Sequence, residues 1–563
     1  MVPTRPNSRL RAQGALIAIF VGLFTGLGAV GFRYLIEFFQ RLILQNGYVT
    51  LTSWYLPLVM GVAGLVVGLL IYYFAREAKG HGVPEVMLAV ATDGGRIRGR
   101  VAILKSLASA ICIGSGGSAG REGPIVQIGS ALGSVVGQKL GLSERQIPLL
   151  VACGASAGIA ATFNAPIAGA LFSLEVILLG FTQTAFAYVV LSSVAASVVG
   201  RAFLGDSPAF SIPPYAVGHR AELIFYIGLG VVSALVGIVF TRSLYLLEDG
   251  FDALPIPEPV KPAIGAALVG VLALMGIPQV MGVGYDTITQ VLKGDLGFQL
   301  VLLLIVGKLL ATSLTLGSGG SGGIFAPSLF LGSMLGGAYG YFVHWLAPDI
   351  VSSPGGYALV GMAAVFAATA HAPMTAILIL FELTGDYHII LPLMAATVIS
   401  TLISSKLFKE SVYTVKLKRR GIDLLETSKR HDDPLRSITV ERVMFTEFET
   451  AGKDWSLARL DETFKKFRLH GLAVTDQNKN LLGIVTTSDL ADAGENQTTV
   501  EDVMTAPCES VIPADRASAA LKIMGRLQVG TVPVVQAGSS LLVGIVSRQS
   551  LVKAYCEATE EGD

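Results

Sequence analysis

GSGGSAGREGPIVQIGS, residues 114–130, sets glycines, an arginine and a glutamate directly ahead of an apolar run that reads as a membrane helix. GSGGSGGIFAPSLFLGS, residues 317–333, repeats it at nine of seventeen positions. In each stretch a proline, Pro124 or Pro327, precedes the apolar residues, which places it in the first helical turn with free amides just ahead. Helix starts attract anions through those unsatisfied donors and the positive end of the dipole, and glycine permits close approach. Irregular backbone at membrane depth must be buried in protein or line a watery cavity. Both stretches are therefore expected to face inward. If the halves carrying them are inserted oppositely, both helix starts aim at one site near the midplane.

The surrounding chain supports a membrane setting. Over 563 residues it is 52% hydrophobic and 15% charged, with a mean hydropathy of +0.63, too apolar for an ordinary soluble protein and too long for one domain. Of the 82 Asp, Glu, Lys and Arg residues, 44 follow residue 405, so a polar appendage succeeds a polytopic membrane domain. Zero formal net charge gives no reason to expect nucleic acid as a partner. Cys112, Cys153, Cys508 and Cys556 have no spacing that suggests a metal site or a disulfide framework. Arg5, Arg9 and Arg11 precede the first apolar run, and KLKRR (416–420) follows the last. The positive-inside rule then puts both ends in the cytoplasm, with an even number of full crossings of a plasma or bacterial inner membrane. The first apolar run, reaching towards Leu44, is too long for the core of a cleaved signal peptide.

Apolar segments run from 13–44 through an unbroken 165–204 to 388–408, and several fall short of the ~20 residues that a spanning helix needs. Short segments interrupted by Gly and Pro at matched places in two halves point to broken helices around a buried site. A second repeat strengthens the point: GASAGIAATFNAPIAGALFSLE (154–175) recurs as GMAAVFAATAHAPMTAILILFE (361–382). Glu175 and Glu382, matched across the halves, read as structural or interfacial, and His371, standing where the first half has Asn164, reads as a satisfied core histidine. The expected fold is an all-α polytopic membrane domain over 1–420, with two inverted halves at about 13–204 and 222–408 and broken helices. A linker (421–436), a cytoplasmic α/β pair (437–558) and a short tail (559–563) follow.

GREGP (Gly120 to Pro124) and GIFAP (Gly323 to Pro327) resemble two of the three anion-site signatures of the CLC family of chloride channels and proton/chloride exchangers, and FNAPIAGALFSLE is similar to the family's next segment. The resemblance covers the whole chain. It implies a chloride transporter, not an enzyme, that works as a homodimer with one pore per subunit and no required cofactor. It makes Glu122 the gate, a carboxylate that occupies an anion position and swings away when protonated or displaced. The amides of Ile324 and Phe325 would hold the central anion with the Tyr413 hydroxyl, and the signatures also bring Gly82, Gly120, Arg121, Gly123, Gly323 and Ala326 to the site. Arg121 fits best as a partner for a nearby acid that orients the loop. The third signature, GSGIP in the family, is GHGVP at 80–84, so His81 replaces a coordinating serine. An imidazole donates N–H and titrates near neutrality, so altered selectivity and pH sensitivity are expected. The exchangers' internal proton-relay glutamate is replaced by Val176, which leans the reading to a passive channel, with a proton-coupled exchanger as the alternative.

In the appendage VERVM (440–444) recurs as VEDVM (500–504), and LLGIVTTSDL (481–490) as LVGIVSRQSL (542–551), with short β-branched runs before each glycine turn. The repeat resembles a tandem CBS pair. That resemblance implies an adenine nucleotide at Thr486 and Asp489, while Ser547 and Ser550 leave the second unit without the carboxylate. Thr486 and Asp489 are also the residues of a plain helix cap. More distant readings are a CBS-bearing divalent-cation transporter, which would need hard oxygen ligands that the apolar segments scarcely supply, and a nucleotide-sensing membrane receptor.

Overall fold

The computed structural model describes residues 8–45, 54–144, 146–206, 215, 219–351, 354–423, 435, 438–467, 470–494 and 496–560. Arg5, most of the 421–436 linker and the end of the 559–563 tail lie outside them. The chain divides into two compact units, 1–424 and 425–563.

The first unit is helical throughout and built twice. Its first half contains α1 (Ser8–Gln40), α2 (Leu56–Phe74), α3 (Val83–Thr92), α4 (Arg100–Gly114), α5 (Glu122–Lys139), α6 (Ile147–Phe163), α7 (Pro166–Phe172) and α8 (Gln183–Leu204). The second half answers with α9 (Glu222–Ala253), α10 (Lys261–Leu274), α11 (Tyr285–Lys293), α12 (Phe298–Gly317), α13 (Phe325–Leu346), α14 (Pro354–Ala370), α15 (Pro373–Thr384) and α16 (Ile390–Leu407). A short α17 (Thr414–Arg419) closes the unit. Six described helices are long and apolar enough to cross a membrane, whereas α3, α6, α7, α14 and α15 are shorter apolar pieces. Packing repeats with the sequence: α5 lies on α6 as α13 lies on α14, and α1 on α8 as α9 on α16.

The halves are joined by paired contacts that exchange roles. Ser109 Oγ meets Ser321 Oγ at 2.8 Å, and at the positions 203 residues on, Thr312 Oγ1 meets Ser118 Oγ at 3.0 Å. Glu175, in the π-helical turn Ser173–Ile177 after α7, accepts from Met374 N (3.1 Å), Thr375 N (2.9 Å) and Thr375 Oγ1 (2.7 Å) at the start of α15. Glu382, on α15, accepts from Ile167 N (2.9 Å) and Ala168 N (2.7 Å) at the start of α7. Each acid thus caps the opposite half's broken helix, satisfying amides that lipid cannot.

Three sequence expectations need correction. The apolar run 165–204 is two helices, because Leu179 adopts a left-handed conformation (φ 52) and the Thr182 side chain caps α8 by accepting from Ala185 N at 3.2 Å. α3 and α11 lie outside the apolar segments expected from the sequence: α11 is interrupted by Asp286 and Gln290, and α3, although apolar, is only 10 residues long and carries Glu85. His371 is no core residue: half-buried, it ends α14 at φ 55, just as Asn164 ends α6 at φ 58.

In the second unit β1 (Thr450–Gly452) runs parallel to β2 (Gly471–Thr475), which pairs antiparallel with β3 (Leu481–Thr486). β4 (Thr531–Val535) and β5 (Leu542–Ser547) form a second antiparallel sheet. The repeats trade their leading turns. Val440 and Val443 of the first repeat sit in the core beneath β4 and β5, and Val500 of the second sits in the core of β2 and β3.

The reciprocal caps predict that Glu175→Ala and Glu382→Ala each cost about 1–3 kcal/mol, since each leaves at least two helix-start amides unpaired. Thermal unfolding in detergent should show both losses, smaller for Gln at either position. Unchanged midpoints for the alanine variants would refute the capping role.

Candidate functional site

Two repeat-related turns frame the site. In the first half Gly80 (φ 76) and Gly82 (φ 82) bracket His81; in the second Gly282 (φ 56) and Gly284 (φ 88) bracket Val283 and lead into Tyr285. Positive φ at both glycines is what allows chain reversal so tight, and a buried lysine fastens each turn. Lys105 Nζ donates to Ala78 O (3.0 Å) and Gly80 O (2.7 Å); Lys308 Nζ donates to Val280 O (3.0 Å) and Gly282 O (2.8 Å).

Between the turns the starts of α5 and α13 meet. Gly120 N–H donates to Gly323 O at 2.7 Å and Gly323 N–H donates back to Gly120 O at 2.6 Å. No side chain fits at this crossing: a Cβ on Gly123 would stand 2.8 Å from the Gly323 Cα, and one on Gly323 would stand 2.6 Å from the Gly123 nitrogen. The mutual bonds spend the amides of Gly120 and Gly323, so those two expected anion contacts are corrected to structural ones. The positive ends of both helices nonetheless fall side by side in a dry interior.

A narrow slot opens at this joint, lined among others by His81, Glu122, Gly123, Ile324, Phe325 and Tyr413. The Phe325 ring packs against Phe366 (centroids 4.1 Å apart) and Phe163 (5.2 Å), which keeps water from the amides beside it. Tyr413 is only 2% exposed, and the turn carrying it, at the start of α17, is pinned from both sides. Val412 N donates to Thr369 O at 2.9 Å, and Tyr245 Oη donates to Val412 O at 2.7 Å. Gly82 starts α3 and packs against Gly123 without lining the slot. Val176 is buried in the π-helical turn against which α3 packs.

Glu122, 1% exposed, closes the slot at one end. Its Oε1 accepts from Tyr285 Oη at 2.5 Å; its Oε2 makes no hydrogen bond among the described residues and lies toward the amides of Glu122 itself and Ala326. Beyond it lies a cavity of about 550 Å³ lined by Arg121, Tyr285, Asp286 and Gln279 among others. The Arg121 guanidinium covers the Tyr285 ring at 5.3 Å, so it faces this vestibule rather than the slot. Glu122 and Tyr285 together are the wall between the two spaces. Sequence reasoning missed Tyr285; the signal was the second Gly-x-Gly, 202 residues after the first.

A family model described as voltage gated chloride channel matches residues 63–405, and a CBS model matches 440–496 and 500–557. The chain belongs to the CLC family. A ClcB-like relative in Ralstonia nicotianae, named as a chloride channel protein, is 34% identical over 73% of this chain and 97% of its own length. The exchange transporter ClcA of Vibrio vulnificus, named for H⁺/Cl⁻, is 33% identical over 72% of this chain and 89% of its own. A slow cyanobacterial Cl⁻/H⁺ antiporter of known structure superposes with a TM-score of 0.66 at 29% identity, covering 72% of this chain and 97% of that one. This protein is accordingly a CLC anion transporter embedded in a membrane, with a C-terminal CBS pair.

In the CBS pair of this CLC protein Thr486 and Asp489 form a capping box at the start of the Thr487–Ala491 helix. Asp489 Oδ2 accepts from Thr486 N (2.7 Å) and Thr486 Oγ1 (2.8 Å). Ser547 and Ser550 repeat the box without charge, Ser550 N donating to Ser547 Oγ at 3.1 Å.

A hydrogen bond to a carboxylate is worth roughly 1.5–3 kcal/mol, which is on the order of tenfold or more in how often the Glu122 side chain stays latched in place. Tyr285→Phe should therefore raise chloride flux several-fold at fixed pH, and should add nothing when Glu122 is already Gln. An unchanged flux in the single variant, or a further rise in the double, would rule the latch out.

Proposed function

We propose that this CLC protein exchanges chloride for protons. The observation that carries the reading is Glu122: among the described residues it is the only carboxylate lining the slot, and it stands where the two helix starts meet. An anion entering the slot competes with that carboxylate for the same positive helix ends. Glu122 leaves readily as the neutral acid, because neutralisation removes its attraction to those ends, so the step that clears the path also carries a proton towards the vestibule. Val176 had favoured passive conduction. The H⁺/Cl⁻ exchange named for the Vibrio vulnificus relative and the antiport named for the cyanobacterial structure support exchange instead, although the Ralstonia relative bears a channel's name.

The test is flux from purified protein in liposomes, with chloride and proton electrodes recording together. A chloride gradient should drive protons uphill. Glu122→Gln should keep chloride moving, abolish proton movement and remove the pH response. Chloride flux with no uphill protons in the wild type would leave a channel.

For the CBS pair we propose an adenine nucleotide at Thr486 and Asp489, supported by the Thr-x-x-Asp placed directly after β3. Since Asp489 also serves a cap, the control is Asp502, which forms the same kind of box with Thr499. Calorimetry with adenosine triphosphate should show binding lost in Asp489→Ala and kept in Asp502→Ala. Equal effects of the two substitutions would reduce Asp489 to a cap.

A further inference from the structure

Besides Glu122, the slot holds few groups that can carry a proton. Among the described residues that line it, only Glu122, His81 and Tyr413 carry titratable groups, and His81 is the one base among them that is neutral before it takes a proton. We infer that His81 is the inner proton carrier, a role that rests on the exchange reading above.

The hydrogen bonds fix which ring nitrogen takes the proton. Tyr245 Oη spends its one proton on Val412 O at 2.7 Å, so towards His81 Nε2, 3.4 Å away, it can only accept. Nε2 therefore carries the ring hydrogen. Nδ1 is left as the basic lone pair, buried and without a hydrogen-bond partner among the described residues. A histidine placed merely to fill space would find a donor for that nitrogen or lie at the surface. His81 is 4% exposed, at the tip of a turn that Lys105 holds rigid.

The charged and titratable groups around the ring are few: Lys105 behind the turn, Lys416 paired with Glu85 at 3.2 Å, and Tyr245, Tyr413 and Glu122. None is a carboxylate in contact with the ring. The negative charge that an imidazolium would pair with is the halide itself, so uptake of a proton at Nδ1 and uptake of a halide in the slot reinforce each other. The steps balance. A proton from the inner solution bonds to Nδ1 and gives the imidazolium; with the halide bound, the Nδ1–H bond breaks as the proton passes along the slot that both side chains line and forms an O–H bond on the Glu122 carboxylate. His81 returns to the neutral ring, and Glu122, now an acid, releases its hold on the helix starts and delivers the proton to the vestibule. His81 thus replaces, by a different residue on a different element, the proton-carrying capacity that Val176 lacks.

The test pairs His81→Ser with two readouts. In liposomes the wild type should move protons uphill, and His81→Ser, its folding checked by a thermal unfolding midpoint in detergent like that of the wild type, should move about tenfold or more fewer protons per chloride. An unchanged proton-to-chloride ratio overturns the relay. A wild type that moves no protons sinks the exchange reading first and the relay with it, so the two failures are distinguishable. The second readout needs no transport. In the Glu122→Gln background at about pH 7.5, calorimetric chloride titrations in buffers of different ionisation enthalpy should reveal proton uptake with chloride, and adding His81→Ser should remove it. Equal heats across buffers for Glu122→Gln alone would contradict the proposal.

Discussion

Two backbone hydrogen bonds between Gly120 and Gly323 hold the rest of this structure in place. They join two helix starts that belong to opposite halves, and they can form only where neither chain carries a side chain. The consequence is electrostatic. Placing two positive helix ends together in a dry interior would be unfavourable without a negative charge to face them, and the chain answers with the Glu122 carboxylate. On the exchange reading proposed above, that carboxylate substitutes for the transported ion and serves as plug, competitor and proton carrier.

Everything around the joint restrains it. Buried Lys105 and Lys308 fasten the two Gly-x-Gly turns, Ser109, Ser118, Thr312 and Ser321 stitch the halves, and Glu175 and Glu382 cap each other's broken helices. Almost all these contacts come in pairs related by the internal repeat. The functional residues do not. His81 answers to Val283, Tyr285 to Val83, and Glu122 to Phe325. A symmetric frame therefore carries an asymmetric lining, with Tyr285 on the vestibule side of Glu122 and His81 in the slot.

Much of this was legible in the sequence because the repeated features are glycine and proline patterns, which act through the backbone and survive where side chains diverge. The paired helix starts were readable from residues 114–130 and 317–333, the broken helices from short apolar segments matched in the two halves, and the gate role of Glu122 only from the resemblance of GREGP to the family's signature. What stayed hidden depends on partners distant in sequence. Nothing local says that the amides of Gly120 and Gly323 are consumed by each other, or that the Tyr285 hydroxyl reaches back 163 residues to Glu122. The break inside 165–204 was missed because its signals, a left-handed leucine and a threonine cap, are weak beside the surrounding hydrophobicity. The lean towards a channel rested on Val176, where the exchangers' relay glutamate is absent, whereas the exchange named for the Vibrio relative and the antiport named for the cyanobacterial structure favour the alternative.

The central claim is that paired helix starts solvate an anion once the carboxylate withdraws. Anomalous diffraction from bromide-soaked crystals of the Glu122→Gln variant tests it most directly. The account requires a bromide peak at the joint, beside the amides of Ile324 and Phe325 and the Tyr413 hydroxyl, together with density for an anion where the Glu122 carboxylate had been. Bromide found only in the vestibule, or a slot left empty at saturating bromide, would contradict it.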